Sequence, residues 1–318
     1  MAKYRNKLPQ TSGRLFLTDG GMETTLVFHD GIDLPCFASF TLLDNEAGIA
    51  RVKSYYELYA KLATDSGLGF VLEAPTWRAN KDWGAKLGYS QEALASVNRR
   101  AIALLSELRA KHETPGSPMV ISGNIGPRGD GYVIGNAMSA KEAADYHGEQ
   151  IGVFAGTEAD MVSAFTMNYA EEAIGIANAA KKAGMPVVIS FTLETDGKLP
   201  TGQTLKEAIT QTDAAAGSAP AYYMINCAHP AHFADALAAG EGWVKRIQGL
   251  RANASRRSHA ELDEAKDLDI GDPVELGHLH GELRRKLPHL AVLGGCCGTD
   301  HRHVEEIRRS CAAVSAAA

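Results

Sequence analysis

Cysteine occurs at three places where the chain also turns. Cys296 and Cys297 are adjacent within Leu293-Gly-Gly-Cys-Cys-Gly-Thr-Asp300, and Cys227 lies in Ile225-Asn-Cys-Ala-His-Pro230. Each segment follows a short apolar run that reads as a buried strand. Three thiolates leave one position of a tetrahedral zinc open, as in sites that do chemistry, because the fourth place must accept water or substrate. The wide separation of Cys227 from the pair excludes a zinc ribbon or finger, whose cysteines pair at intervals of about two to four residues. Adjacent cysteines reach one ion only across a sharp backbone turn, which Gly294, Gly295 and Gly298 can supply. Thr299 or Asp300 is placed to cap a helix beginning near His301, and the positive end of that helix would favour a thiolate at Cys297. The competing readings of the pair are two small core residues or a vicinal disulfide. Cys36 and Cys311 lie outside any motif and read as small buried hydrophobes. His278, His280, His289, His301 and His303 lie near the pair in sequence, but their charged neighbours place them on exposed helix faces rather than on a metal.

Such a site needs elements that bring distant cysteines together. Apolar runs at 14–17, 69–72, 119–122, 160–164, 186–191, 222–225, 243–247 and 290–293 read as strands, and most are continuously apolar, as parallel strands buried on both faces are. Between them, 46–65, 90–111, 139–158, 170–183, 204–215 and 230–239 are rich in Ala, Leu, Glu and Lys and read as crossover helices. Eight strand-then-helix units predict one (β/α)₈ barrel spanning 1–318 as a single domain, with the cysteines on the rim at the C-terminal ends of its strands. An open nucleotide-binding sheet is disfavoured, because the glycines of Asp19-Gly-Gly-Met-Glu23 are not spaced as G-x-G-x-x-G. The segment 251–273, with Arg256-Arg257 and an acidic run from Glu261 to Asp269, reads as a solvated loop, with a lid or subunit contact as the alternative.

Composition narrows the partners. Hydrophobic residues make up 45% of the 318 and charged residues 22%, ordinary for a soluble globular chain. A net charge of -6 lacks the clustered basic surface that nucleic acid requires, so a small-molecule substrate is expected. Neither a signal-like apolar run nor a membrane-length one occurs, and five cysteines suit a reducing compartment, so the expectation is a cytoplasmic protein that does not enter the membrane and can form a homo-oligomer.

Four motifs, in order along nearly the whole chain, carry a resemblance: Asp19-Gly-Gly-Met-Glu-Thr-Thr25, Ser122-Gly-Asn-Ile-Gly-Pro127, Ile225-Asn-Cys227 and Gly294-Gly-Cys-Cys-Gly-Thr299. Together they resemble the homocysteine S-methyltransferase family, which includes betaine- and S-methylmethionine-dependent enzymes and the homocysteine-binding module of cobalamin-dependent methionine synthase. The resemblance implies a zinc-dependent barrel in which Cys227, Cys296 and Cys297 hold Zn²⁺ and homocysteine takes the open place, accepts a methyl group and becomes methionine. It places Asp19 nearest the amino-acid substrate and makes Asn124 and Asn226 candidates for hydrogen bonds to it. Trp77, Tyr132 and Phe165 are candidate faces for a sulfonium or ammonium methyl donor. Many members carry a glutamate after the fourth strand that binds the homocysteine amino group; here Phe165 stands in its place, and Glu73, after the second strand, is expected to supply the acid. Alternatives are a different thiol acceptor, a methyl-corrinoid donor, or a module that binds zinc or a thiol without turnover.

Overall fold

The structure, a computed structural model, describes residues 2–315 apart from 239 and 266. Eight parallel strands close on themselves in sequence order: β1 (Phe16–Leu17), β2 (Gly69–Glu73), β3 (Met119–Ile125), β4 (Met161–Met167), β5 (Val187–Thr192), β6 (Pro220–Asn226), β7 (Ile247–Ala252) and β8 (Val292–Gly295). The crossover helices are α1 (Glu46–Asp65), α2 (Gln91–His112), α3 (Ala140–Ala155), α4 (Ala170–Lys182), α5 (Leu205–Ala216), α6 (Pro230–Leu237), α7 (Pro273–Lys286) and α8 (His301–Ser315). The expected (β/α)₈ barrel is therefore present. Residue 239, at the expected end of α6, lies outside the described residues.

Two-residue periodicity sorts each strand between an inner and an outer layer. Phe16, Val71, Val120, Met161, Val188, Tyr222, Met224 and Val292 pack together inside the barrel, while alternate residues such as Leu17, Phe70, Leu72, Ile121 and Val162 join the helix-facing core. The N-terminal segment stoppers the lower end. Leu8 joins the inner cluster, Gln10 reaches the Tyr222 hydroxyl, and Arg5 donates to the carbonyls of Ala155, Thr157 and Ala159. Toward the C-terminal end the inward positions turn polar at Glu73, Ser122, Ser163, Ser190, Asn226 and Arg251. There Ser122 and Ser163 share a hydrogen bond of 2.8 Å, and Ser163 donates to Glu73 at 3.1 Å. The barrel is thus greasy below and polar above, and chemistry belongs at the upper end.

One strand departs from expectation. Residues 243–247 were expected as the seventh strand, but Gly242–Arg246 forms a 3-10 turn and the strand begins at Ile247. Arg246 leaves the barrel wall to pair with Asp213 at 2.8 Å. The true strand is harder to read because it carries Gln248 and Arg251, but Arg251 points inward onto an acid. The segment expected as a solvated loop is also more ordered, and it is not simply solvated: 251–252 belong to β7, His259–Asp263 form a short helix, and much of 260–269 lines the cavity described below.

Candidate metal centre and active-site cavity

Cys227 follows β6, and Cys296 and Cys297 follow β8. With only β7 between these two strands, residues 69 apart in sequence come to a sulfur–sulfur separation of 2.6 Å for Cys227 and Cys296. All three sulfurs lie within 4.8 Å of one another, the one group of three or more potential metal ligands among the described residues. Zinc held by sulfur at about 2.3 Å needs sulfurs about 3.8 Å apart, so the cluster fits the ion once the closest pair spreads by about 1 Å. Among themselves the thiols share charge unevenly. Hydrogen bonds from Cys296 and Cys297 draw Cys227 well below the usual thiol range, and the same contact pushes Cys296 up to about 12. Only a cation would let all three ionise together.

Backbone conformation aims these sulfurs. Cys227 has φ 53° and Thr166, at the end of β4, has φ 63°; left-handed geometry is uncommon for any side-chain-bearing residue and rare for a β-branched one. The Thr166 kink coincides with a register shift between β4 and β5. Its N–H donates to Asn226 Oδ1 at 2.9 Å, Ser190 donates to the same oxygen at 2.7 Å, and Asn226 Nδ2 donates to Thr166 Oγ1 at 2.9 Å and to Cys227 Sγ at 3.1 Å. The Asn226 amide is thus spent on the protein and orients Cys227. In the cysteine turn Gly298 has φ +79°, and a Cβ there would lie 2.7 Å from the Asp269 carbonyl oxygen. Asp300 caps α8, accepting from the Arg302 N–H at 2.9 Å, while Thr299 instead bonds back to the Cys296 carbonyl.

A cavity of about 620 Å³ opens over the cysteines, room for more than one small molecule. Asp19, Glu73, Asn124, Phe165 and Asn226 all line it. Asp19 is gripped by Arg251 at 2.7 Å and by the Tyr55 hydroxyl at 3.0 Å; burial raises its pKa, and Arg251 opposes the rise. Burial pushes Glu73 up to about 7, and its Oε2 is buried without a partner. Asn124 Oδ1 is unpartnered too. Each of the three aromatic rings has a partner from the protein: Arg78 lies over Trp77 at 4.0 Å, Arg251 over Phe165 at 5.2 Å, and Tyr132 stacks on His259 at 3.9 Å.

Several expectations need correction. Cys311 is buried but Cys36 is exposed, on a 3-10 turn with φ 57°. His278 is exposed as expected, whereas His280 and His303 are fully buried and bond the Leu276 and Ile270 carbonyls, their outward charged neighbours having masked an inward face. Two contributors were missed. Arg251 was hidden by the misplaced seventh strand. His259 reaches the Cys227 carbonyl at 2.5 Å, and the Ser258-x-x-Glu261 capping box was the available signal for its helix.

The homocysteine S-methyltransferase family model matches residues 16–311. The chain belongs to that family. This methyltransferase is also similar to solved structures of the homocysteine methyltransferase MmuM from Escherichia coli. The oxidized form has a TM-score of 0.73 at 17% identity, and the metallated form 0.72 at 16%, each covering 93% of this chain and 96% of the other. The apo form of the same protein gives 0.65 at 17% identity over the same shares. At these identities the likeness establishes the barrel. No curated protein sequence matches.

Proposed function

We propose that the methyltransferase moves a methyl group from a sulfonium or ammonium donor to the thiol of homocysteine, giving methionine, with Cys227, Cys296 and Cys297 holding one Zn²⁺ and the whole chain acting as a single domain. The convergence of three cysteine sulfurs at the base of a large cavity is the observation that carries this reading. Zinc in such a site supplies a position at which a thiol, otherwise mostly protonated at neutral pH, loses its proton. The remaining work falls to the chain. Arg251 and Tyr55 fix the Asp19 carboxylate beside the cysteines, and the Arg251 charge also offsets excess thiolate charge at Cys296. Glu73, with one free carboxylate oxygen, takes the acceptor's ammonium in place of the acid that Phe165 displaces. In the transfer, the acceptor sulfur gains the carbon–sulfur bond and the onium centre leaves with its bonding pair as a neutral sulfide or amine. No residue has to protonate the leaving group, so rate depends on holding methyl carbon and sulfur in line.

Metal analysis of anaerobically prepared protein, followed by a methyl-donor panel with homocysteine, tests this. One zinc per chain and methionine from an onium donor are expected, with Cys296→Ser losing both. Stoichiometric zinc and full turnover in Cys296→Ser would overturn the assignment.

A further inference from the structure

Three turns on the upper rim carry the site: the one after β1 with Asp19, the one after β6 with Cys227, and the one after β8 with Cys296 and Cys297. Arg251, next to last in β7 and only 8% exposed, touches all three. Its Nη1 pairs with Asp19 Oδ1 at 2.7 Å, Nη2 donates to the Gly20 carbonyl at 3.0 Å, and Nε donates at 3.1 Å to the carbonyl of Gly295, the residue before Cys296. Its own carbonyl accepts from the Cys227 N–H at 3.1 Å. The Phe165 ring lies against the guanidinium at 5.2 Å. All three guanidinium nitrogens are committed to the protein, so the arginine works through its neighbours rather than on a reactant.

Two of these turns already nest by their backbones. The Gly295 N–H donates to the Asp19 carbonyl at 3.0 Å, and a Cβ on Gly21 would stand 2.6 Å from the Cys296 carbonyl oxygen. Backbone contact fixes where the turns cross but not where the Asp19 carboxylate points. Arg251 does that, as a planar fork with one side on the carboxylate and the other on the carbonyl beside Cys296. Lysine would carry the same charge at a single point and could not hold both. The spacing matters because the acceptor has two ends, a thiol for the metal and an amino-acid group for the wall that Asp19, Gly20, Gly21 and Glu73 form. A ligand held at two points gains from the effective concentration of its second end once the first is seated, and that gain is lost when the anchors shift apart.

We propose that Arg251 is a positioning residue: it sets the Asp19 carboxylate at a fixed distance from the cysteine sulfurs, and so lets the acceptor's thiol and amino-acid ends bind as one ligand. The inference rests on the methyl-transfer reading above. The test follows thiol binding without turnover, on Co²⁺-loaded protein, whose visible absorption changes when a fourth thiolate joins the metal. Homocysteine is compared with 1-propanethiol, which has the thiol but no amino-acid end, in wild type, Arg251→Lys, Asp19→Asn and the double variant. Wild type should bind homocysteine about 100-fold more tightly, and in Arg251→Lys that preference should fall about 10-fold while 1-propanethiol affinity holds. Asp19→Asn should show a similar fall, and adding Arg251→Lys to it should change the preference no further. An unchanged preference in Arg251→Lys, an equal loss for both thiols, or a further fall in the double variant would overturn the inference and leave the function standing. Should Arg251→Lys lose its Co²⁺, Arg251→Gln is read in the same way; loss from both would overturn the inference too, since the arginine would then support the metal centre as a whole. Wild type that takes up no Co²⁺, or binds both thiols alike, would instead remove the homocysteine reading, and this inference with it.

Discussion

At the scale of single residues, the cavity sets two carboxylates against each other. Asp19 is ion-paired with Arg251, whereas Glu73 bonds only to hydroxyls, and its burial outweighs the more distant Arg251 charge and lifts it from an ordinary 4.5 to about 7. The folded chain therefore keeps the Glu73 proton over a range in which the unfolded chain has lost it, and the fold loses stability as pH climbs from about 4.5 to about 7. Glu73→Gln should match wild-type stability near pH 4 and exceed it by up to about 3 kcal/mol above pH 7, read from denaturant melts across pH. The same variant should raise homocysteine KM about 10-fold or more, since a neutral amide replaces a charge-assisted partner of the ammonium. Unchanged acceptor kinetics would remove Glu73 from the site. The cysteines were legible in sequence because each stands at the end of an apolar strand-like run, the adjacent pair between glycines and Cys227 after Asn226. The left-handed Thr166 was not, since a β-branched residue is among the least expected to adopt that conformation. Nor was the Trp77–Arg78–Trp83 stack, which joins a loop to a short helix, Lys81–Lys86.

Elements explain which positions meet. The Ala- and Leu-rich crossover helices were readable from their strong periodic signal, aided by Ser or Thr caps at α2, α3 and α5; α3 and α5 each begin with a full capping box, at Ser139 and Thr204. The seventh strand was not, because its inward-facing Arg251 looks like a surface residue until Asp19 is beside it. A third capping box, Ser258 with Glu261, organises the short helix that carries His259, Ala260, Leu262 and Asp263 to the cavity wall. Ser258→Ala should cost this helix about 1 kcal/mol. Because the helix is peripheral to the barrel core, we expect a rise in donor KM with little change in melting temperature or in bound metal; a parallel loss of metal would mean that it also supports the cysteines.

Across the whole molecule, alternation of side chains separates two tasks. The lower barrel is filled by Phe16, Val71, Val120, Met161 and Tyr222, which give a rigid base, and the same inward rows become Glu73, Ser163, Asn226 and Arg251 above. The barrel was legible because eight apolar runs alternating with helices allow few other closures. The cavity's make-up was less so, because segments distant in sequence build it. The N-terminal stopper of Leu8 and Gln10 has a consequence for traffic. With the base closed, the proposed reaction has one mouth for both reactants, and a thiol seated against the cysteines would then arrive before the donor and, as methionine, leave after the spent donor. Turnover is then an ordered queue, and product inhibition should show it: methionine competitive with homocysteine, and the demethylated donor competitive with neither.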